Sequence, residues 1–384
     1  MKFAMYQPWI YLHGGLERSL LELVSRSRHD WTIFTGHYEP ANTFTGFSQL
    51  NVREVLPTSI DRSITGALKS AAQVFRQRLP VDAGTDGIVV WCDGIGDLLT
   101  FRNNHLPMFN ICSTPLRAAF DPVYEELSMS KRSFAGKFAY QIFKHGFRYV
   151  DRLAWKHYRG VISTSTEVKN RIIAGGLHDG GDGMVMAYPG VDWQPEVAVQ
   201  YQPFILLPGR IMWTKNIQQG VRTFLQANLP APWRLVVAGF VDHKSQPYLD
   251  ELRQLSAGSG RVEFVISPND EQLDALYRDA GFCLFPPLNE DWGIVPLEAM
   301  ARAKAVVANA RGGPLESIIH NCTGFLLEPE DETGWVHAIR TLATQTNLMQ
   351  TMGRNGHSHV QRFTWETFAR QVDDALEQWV VRAP

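Results

Sequence analysis

Two glutamates in the segment PPLNEDWGIVPLE, Glu290 and Glu298, stand eight positions apart. The apolar run 281–285 before them is typical of a buried parallel strand, and Pro296 suits a first helical position. The spacing therefore predicts a loop that enters a helix, with Glu298 in the first turn. A carboxylate is a poor phosphate ligand but a good hydroxyl acceptor. We expect the pair to bind hydroxyls on either side of a diphosphate, as a nucleotide sugar offers them.

Between the two glutamates, the backbone N–H groups of Gly293, Ile294 and Val295 would point out of the helix N-terminus. The helix dipole favours a phosphate or diphosphate at that position. A glutamate in a first helical turn is also a common cap, and taken alone Glu298 is better explained as one. Other charged segments of the chain support the interpretation of the pair as donor-binding residues.

Two cations, Arg210 and Lys215, follow the predicted strand 204–207 in the segment PGRIMWTKN. Arginine and lysine at one strand end can together hold a diphosphate leaving group. Each one alone would be interpreted as a solvated surface charge.

Short apolar runs alternate with amphipathic stretches, and this pattern, which occurs twice, predicts parallel strands joined by crossover helices. The predicted strands are 3–6, 31–35, 88–91, 108–111 and 160–163 in the first set, and 204–207, 233–238, 262–264, 281–285 and 305–308 in the second. Two domains are expected because 384 residues exceed what one hydrophobic core usually organises. The polar stretch 194–203 is a candidate linker.

In this order, the segments resemble the retaining glycosyltransferases of family four, which include bacterial mannosyltransferases of O-antigen or cell-surface polysaccharide synthesis. The stretch YPGVD at 188–192 matches the usual end of the first domain of that family. The resemblance implies the GT-B fold, an α/β architecture of two Rossmann-like doubly wound domains facing each other across a cleft. It implies an N-terminal acceptor-side domain at 1–195, completed by a C-terminal helix at about 366–384, and a nucleotide-sugar-binding domain at 203–365.

The resemblance also implies roles for the charged residues. Glu290 matches the first glutamate of the E-x7-E element, which lies by the donor sugar, and Glu298 matches the second, which commonly holds the ribose. Arg210 and Lys215 match the family's diphosphate-binding arginine and lysine. The candidate catalytic residues are thus Glu290, Arg210 and Lys215. The two cations would neutralise the leaving diphosphate, which favours a transition state with a largely broken sugar–phosphate bond.

Glycines mark two strand-to-helix turns. Gly14 and Gly15 precede the predicted helix 16–25, where a backbone without side chains lets a donor phosphate or sugar approach. The segment HGGLERSLLEL resembles the family's Gly-rich donor loop, so donor contact is favoured over a plain tight turn. Gly312 and Gly313 follow a later strand and predict close backbone access of the same kind.

The stretch CSTPLRAAFD resembles one in bacterial mannosyltransferases of this family, in which a His stands at the position of Ser113 and touches the donor sugar or the reacting centre. A serine hydroxyl is shorter and does not titrate near neutrality, which weakens the inference of mannose but leaves Ser113 a candidate donor-binding residue. Arg117 either orients acceptor or donor, or forms a structural salt bridge with Asp121. The two interpretations are equally supported.

The aspartates of WCDGIGD, Asp93 and Asp97, are not a metal-binding DxD element, and we interpret them as loop residues near the cleft, with Asp93 a candidate acceptor-side residue. Because cations and a helix N-terminus already serve the diphosphate, we expect no metal and no cofactor besides the donor substrate. The four cysteines are scattered without metal spacing and indicate buried or incidental thiols in a reducing compartment.

The formal net charge of −2 gives no overall basic field and argues against a nucleic-acid partner. The N-terminal residues lack the pattern of a signal peptide, and no apolar run approaches the roughly 20 residues of a membrane span. These features predict a cytoplasmic protein.

The strongest local charge asymmetry is at 131–159, where eight Lys and Arg residues accompany one acid, Asp151, with aromatic residues interleaved at helical spacing. The pattern predicts a basic amphipathic helix that docks on anionic lipid headgroups, peripherally on the inner membrane face. The alternative is an ordinary helix with its aromatic side chains in the core and its cations solvated. A lipid-linked acceptor would favour the first interpretation.

The sequence thus predicts a retaining hexosyltransferase. It would move a sugar, with mannose as one candidate, from a nucleotide diphosphate sugar to a glycan or lipid-linked acceptor in cell-surface polysaccharide synthesis. One alternative is a synthase acting on a soluble sugar acceptor. Another is a catalytically silent nucleotide-sugar or glycan-binding subunit, which Ser113 supports and the intact set of Arg210, Lys215 and the two glutamates opposes.

Overall fold

The structure is a computed structural model that describes residues 1–60, 64–92, 94–130 and 132–381. The chain forms two compact units: unit 1 comprises residues 1–189 with the segment from Trp365 onward, and unit 2 comprises residues 190–364. Each unit has an all-parallel sheet with helices in the connections between strands. Both units therefore have the predicted Rossmann-like α/β architecture.

Unit 1 is built on a parallel sheet. Its strands are β1 (Lys2–Tyr6), β2 (Asp30–Thr35), β3 (Val52–Glu54), β4 (Gly87–Val90), β5 (Met108–Cys112), β6 (Tyr158–Ser163) and β7 (Met184–Met186). They pair in the order β3-β2-β1-β4-β5-β6-β7. Its helices up to the end of this sheet are α1 (Gly15–Arg26), α2 (Ile64–Arg76), α3 (Thr100–Asn103), α4 (Arg117–Phe120), α5 (Pro122–Ser130), α6 (Phe134–Trp155) and α7 (Thr166–Ala174).

Unit 2 has a second parallel sheet. Its strands are β8 (Phe204–Pro208), β9 (Arg234–Gly239), β10 (Val262–Ile266), β11 (Phe282–Phe285), β12 (Val306–Asn309) and β13 (Gly324–Leu327), in the order β10-β9-β8-β11-β12-β13. Its helices are α8 (Ile217–Ala227), α9 (Gln246–Ser256), α10 (Asp270–Asp279), α11 (Ile294–Ala301), α12 (Pro314–Ser317), α13 (Glu332–Thr344) and α14 (Thr346–Val360). The last helix, α15 (Trp365–Val381), belongs to unit 1.

The central strands of unit 2 are buried along their whole length, because helices cover both faces of a parallel sheet. Every residue of β8, β11 and β12 is buried. Their side chains meet residues of α8 and α13, such as Phe224 and Trp335, in one hydrophobic core. This rigid sheet supports the loops at its carboxyl edge.

All ten predicted strands are present, with ends shifted by at most two residues. Three further strands, β3, β7 and β13, escaped prediction, since they are short and lie at or next to sheet edges with partly exposed side chains. Within the described ranges, no helix is long and apolar enough to cross a lipid bilayer.

Candidate active site

The strand order of unit 2 reverses between β8 and β11. After β8 the chain adds β9 and β10 on one side, and it then returns to add β11, β12 and β13 on the other. In open α/β sheets, ligands bind at the carboxyl ends of the strands at such a switch point, because the loops diverge there and leave a crevice. Both groups of predicted charged residues follow these two strands.

Lys215 and Glu290 meet at this edge, although they are 75 residues apart in sequence. The Nζ atom of Lys215 lies 2.5 Å from Oε2 of Glu290, and both side chains are mostly buried. The two loops are also joined through their backbones, since the N–H of Leu288 donates to the carbonyl of Thr214 at 3.2 Å. A lysine ammonium has three donors. The ion pair with Glu290 therefore leaves Lys215 able to bind a phosphate oxygen as well.

Arg210 lies two residues beyond β8 on an exposed part of the same loop. In the part of the chain that the structure describes, no hydrogen-bond or ion-pair partner holds its guanidinium. Its backbone is fixed nevertheless: Gly209 donates to the carbonyl of Ala238 at 3.0 Å, and a Cβ added to Gly239 would overlap the carbonyl oxygen of Gly209. A rigid backbone thus presents a cation at the switch point.

Gly312 and Gly313 do not provide the open backbone access that the sequence predicted for this turn. The close approach that they permit is made by the loop after β11: a Cβ on Gly312 would overlap the carbonyl oxygen of Glu290, and one on Gly313 that of Trp292. The N–H of Gly313 donates to the carbonyl of Glu290 at 2.8 Å. These glycines therefore fix the loop that carries Glu290, and the space beside them is filled by protein backbone.

Asn309, the last residue of β12, is a second anchor of this loop that sequence reasoning missed. It is buried, and its Nδ2 donates to the carbonyls of Pro286 and Pro287 at 2.5 and 2.8 Å. Proline carbonyls at a strand end have no ladder partner of their own, and buried carbonyls require one. Asn309 supplies it and fixes the direction in which the chain leaves β11.

The helix after β11 begins earlier than predicted. α11 starts at Ile294 with Gly293 as its N-cap, so Pro296 is the third helical residue and Glu298 lies in the second turn. The prediction of a first-turn Glu298 is wrong because the N–H groups of the whole first turn lack helical partners, and proline is tolerated at any of those positions. Gly293, Ile294 and Val295 do form the N-terminus of the helix and are partly exposed.

Glu298 is held by Tyr277 of α10, a residue that no sequence pattern singles out. The Tyr277 hydroxyl donates to Oε2 of Glu298 at 2.6 Å. The pKa of Tyr277 is raised well above its usual value, mainly by burial and to a lesser extent by the neighbouring Glu298 carboxylate. Tyr277 is therefore a permanent donor, and it orients the side chain of Glu298.

In unit 1 the strand order reverses between β1 and β4, and the Gly14–Gly15 turn follows β1. Gly14 caps α1, and Gly15 is its first residue. The buried carboxylate of Glu17 covers this turn, since a Cβ on Gly14 would come 2.5 Å from Oε2 of Glu17. A carboxylate repels phosphate and accepts from hydroxyls. Of the two ligands predicted for this turn, a sugar hydroxyl fits better.

Ser113 directly follows β5, and its hydroxyl accepts a hydrogen bond of 2.8 Å from the indole of Trp91. Trp91 is fully buried, so this contact fixes the serine side chain. Asp93 lies outside the described residues. Asp97, which we expected in a loop near the cleft, is buried and accepts from Tyr158 and Asn110 at 2.6 and 3.0 Å.

Arg117 forms the ion pair with Asp121 that was one of its two interpretations, at 3.4 Å. Asp121 is buried and also lies 3.7 Å from Arg171, which in turn donates to Thr114 at 2.8 Å. Arg171 was missed because it lies 57 residues from Thr114 on another helix. The geometry favours a structural role for Arg117, and acceptor binding stays a prediction.

Comparison with known proteins agrees with this arrangement. Residues 193–359 match the model of the family Glycosyl transferases group 1. The chain is 27% identical to the α-1,3/1,6-mannosyltransferase ALG2 of Mus musculus, over 98% of this chain and 97% of that protein. It is 38% identical to the human protein of the same name over 145 residues, which are 36% of this chain and 35% of that protein. The chain is a glycosyltransferase, with a group 1 domain at residues 193–359.

Solved structures show the same fold for this glycosyltransferase. Sucrose-phosphate synthase from Thermosynechococcus elongatus covers 100% of both chains with a TM-score of 0.77 at 19% identity. Anabaena Alr3699/HepE in complex with UDP and glucose covers 98% of this chain and 99% of its own with a TM-score of 0.74 at 20% identity. These structures confirm the predicted GT-B fold class, and the sequence matches given above support the predicted resemblance to family four.

Among the residues that the structure describes, no three His, Cys, Asp or Glu side chains are grouped so that they could hold a metal ion. Three cysteines are buried and Cys322 is partly exposed, and none forms a disulfide among the described residues. Burial raises the pKa of Cys283 to about 12, which keeps this thiol protonated and unreactive.

Proposed function

We propose that this glycosyltransferase moves a hexose, with mannose as the leading candidate, from a nucleoside diphosphate sugar to a lipid-linked glycan with retention of anomeric configuration. The observation that carries the proposal is the ion pair of Lys215 and Glu290 at the switch point of unit 2. The mouse relative, which aligns over nearly its whole length, bears the name of a mannosyltransferase. That name supports mannose as the first donor to test.

In the proposed complex, Arg210 and Lys215 bind the diphosphate, and Glu298, oriented by Tyr277, accepts from the ribose hydroxyls. Glu290 accepts from a hydroxyl of the transferred sugar while it remains paired with Lys215. One carboxylate would thus fix the sugar and also hold the cation beside the phosphate that leaves. Groups that are already oriented need no reorganisation during the reaction, and this lowers its barrier.

The reaction we propose breaks the bond between the anomeric carbon and the diphosphate oxygen, and forms a bond from that carbon to an acceptor hydroxyl oxygen on the same face. The acceptor proton passes to the departing diphosphate. Negative charge grows on the diphosphate as its bond breaks, so Arg210 and Lys215 stabilise the transition state more than the bound substrate. We propose that these two cations suffice and that no metal ion takes part.

Ser113 would lie beside the donor sugar in place of the family's histidine. Because Trp91 holds its hydroxyl, the serine offers a short, fixed group at that position. We propose that the donor subsite differs there from that of the histidine-bearing mannosyltransferases. A panel that includes deoxysugar donors as well as GDP-mannose would reveal the difference.

The test is turnover of a panel of nucleoside diphosphate sugars, with release of nucleoside diphosphate as the readout. We expect slow release without acceptor and faster release with a polyprenyl-linked glycan. Binding of a donor without any release would identify a silent binding subunit. Acceleration by a free sugar or sugar phosphate, with none by the lipid-linked glycan, would identify a synthase for soluble acceptors and overturn the proposed acceptor.

A further inference from the structure

The longest helix of unit 1, α6, carries a row of large apolar side chains that face solvent. Phe134, Phe138, Ile142 and Tyr149 follow one another at helical spacings of four, four and seven, which places them on one face. Their exposed fractions range from 62% to 90%. The interpretation of 131–159 as a helix with its aromatic residues in the core is therefore wrong for this row.

The opposite face of α6 is packed against unit 1. Tyr140 is buried and donates to the carbonyl of Ala118 at 2.6 Å, and Trp155 is buried near the end of the helix. Because one face is held by the protein, the helix axis must run along the surface of unit 1. The row defined above is then the outward face.

Two of the cations that the sequence assigned to a membrane surface are turned inward. Lys144 pairs with Glu125 at 2.6 Å, and the guanidinium of Arg148 donates to the carbonyl of Ala119 at 2.7 Å. Lys137 and Lys156 remain exposed, one near each end of the helix. The outward face is thus primarily apolar and only secondarily basic.

The single acid of the segment adds no negative charge to this face. Asp151 is fully buried. Burial, together with the neighbouring Asp97, raises the pKa of Asp151 well above its usual value, which disfavours the charged form. The exposed ionised groups of α6 are therefore positive.

We propose that α6 lies flat in the headgroup region of an anionic bilayer, with Phe134, Phe138, Ile142 and Tyr149 inserted at the boundary with the acyl chains. Aromatic rings favour this boundary, and a helix with one apolar face and flanking cations binds in the interface plane. The exposed lysines complement anionic lipids. Attachment by insertion serves the lipid-linked acceptor of the proposed function, and it resists salt better than attachment by charge alone.

Sedimentation with vesicles of phosphatidylglycerol and phosphatidylcholine tests this inference. We expect the whole chain to bind, and to keep a measurable part of that binding at high salt. The double variant Phe134→Ser/Phe138→Ser should bind at least tenfold more weakly at both low and high salt, since it removes inserted surface. Val381→Ser, which alters an exposed apolar residue at the end of α15, is the matched control and should bind like the wild type.

A second variant separates insertion from charge. Lys137→Gln/Lys156→Gln should lose most of the preference for anionic over pure phosphatidylcholine vesicles while it retains insertion. Absence of vesicle binding by the wild type would overturn the inference, as would equal binding by the Phe134→Ser/Phe138→Ser variant. So would a dimer in solution that this variant abolishes, because the row would then cover a second copy of the chain.

Donor hydrolysis distinguishes this inference from the proposed function. The α6 variants should release nucleoside diphosphate from the donor at the wild-type rate, since the row lies outside the donor-binding residues. Normal hydrolysis with no vesicle binding would overturn only the insertion of α6. Vesicle binding with no turnover of any donor would overturn only the proposed transfer.

Discussion

The hydroxyl of Tyr277 donates a 2.6 Å hydrogen bond to the carboxylate of Glu298. Tyr277→Phe removes this donor without changing the volume of the buried ring. We expect affinity for the free nucleoside diphosphate to fall about fivefold, because one such hydrogen bond contributes about 1 kcal/mol. Titration calorimetry with the free nucleoside diphosphate measures this affinity. Tyr201→Phe, which removes a hydroxyl bonded to the carbonyl of Ala303, is the control and should leave that affinity unchanged.

Lys215→Ala and Arg210→Ala should each lower turnover about a hundredfold or more. Each change removes positive charge that would stabilise the departing diphosphate, and a charge-assisted contact in a closed site is worth a few kcal/mol. Steady-state rates of donor turnover give the measurement. Arg253→Ala removes an exposed surface cation on α9 and should keep the wild-type rate. Normal rates in Lys215→Ala and Arg210→Ala would contradict the assignment of the diphosphate site.

Glu290→Gln should separate sugar binding from diphosphate binding. The substitution removes the negative charge that pairs with Lys215, so affinity for free nucleoside diphosphate should stay equal or increase. Transfer should fall, because the sugar loses a charged acceptor for its hydroxyl. Glu298→Gln should show the reverse pattern, with weakened nucleoside diphosphate binding. A loss of diphosphate affinity in both variants would show that the two roles are wrongly divided.

Gly312→Ala should impair transfer more than it impairs folding. Gly312 has φ of +66°, and an added Cβ would overlap the carbonyl oxygen of Glu290, so the loop that carries Glu290 must shift. We expect at least a tenfold loss of turnover, about 1.4 kcal/mol in transition-state free energy. Gly258→Ala imposes a similar backbone strain at φ of +83° with no neighbour to displace. It should cost stability but leave turnover unchanged, and an equal loss in both would assign the effect to strain.

Stability above neutral pH should depend on Lys304. This lysine is buried, its ammonium lies 4.2 Å from the ring centre of Tyr201, and burial lowers its pKa to about 8. Between pH 8 and the unfolded value of 10.5, the unfolded chain binds a proton that the folded chain does not, so stability rises with pH. Over this pH range, denaturant titrations should show the free energy of unfolding of the wild type rising by about 3 kcal/mol relative to that of Lys304→Met. A difference that is flat with pH would contradict the lowered pKa.

The sequence predicted the sheets and the loops that carry the site, because strands buried on both faces are near-continuous apolar runs that are visible locally. It could not reveal Tyr277 or Asn309. The partners of these two residues lie 21 and 22 residues away, and no local pattern distinguishes a tyrosine in α10 that faces Glu298. Helical spacing in 131–159 predicted α6 but not which of its faces is exposed. A row of aromatic residues has the same spacing whether it packs in a core or lies on the surface.

The backbone contacts of Gly239 with Gly209, and of Gly312 with Glu290, have a consequence for how this enzyme can diverge. Loops that touch at their main chains cannot be lengthened or replaced by bulkier residues at these contacts without moving their neighbours. Side chains that point away from these contacts can change on an unchanged backbone. New donor specificities in proteins with this arrangement should therefore arise by point substitution, while insertions and deletions accumulate in loops elsewhere.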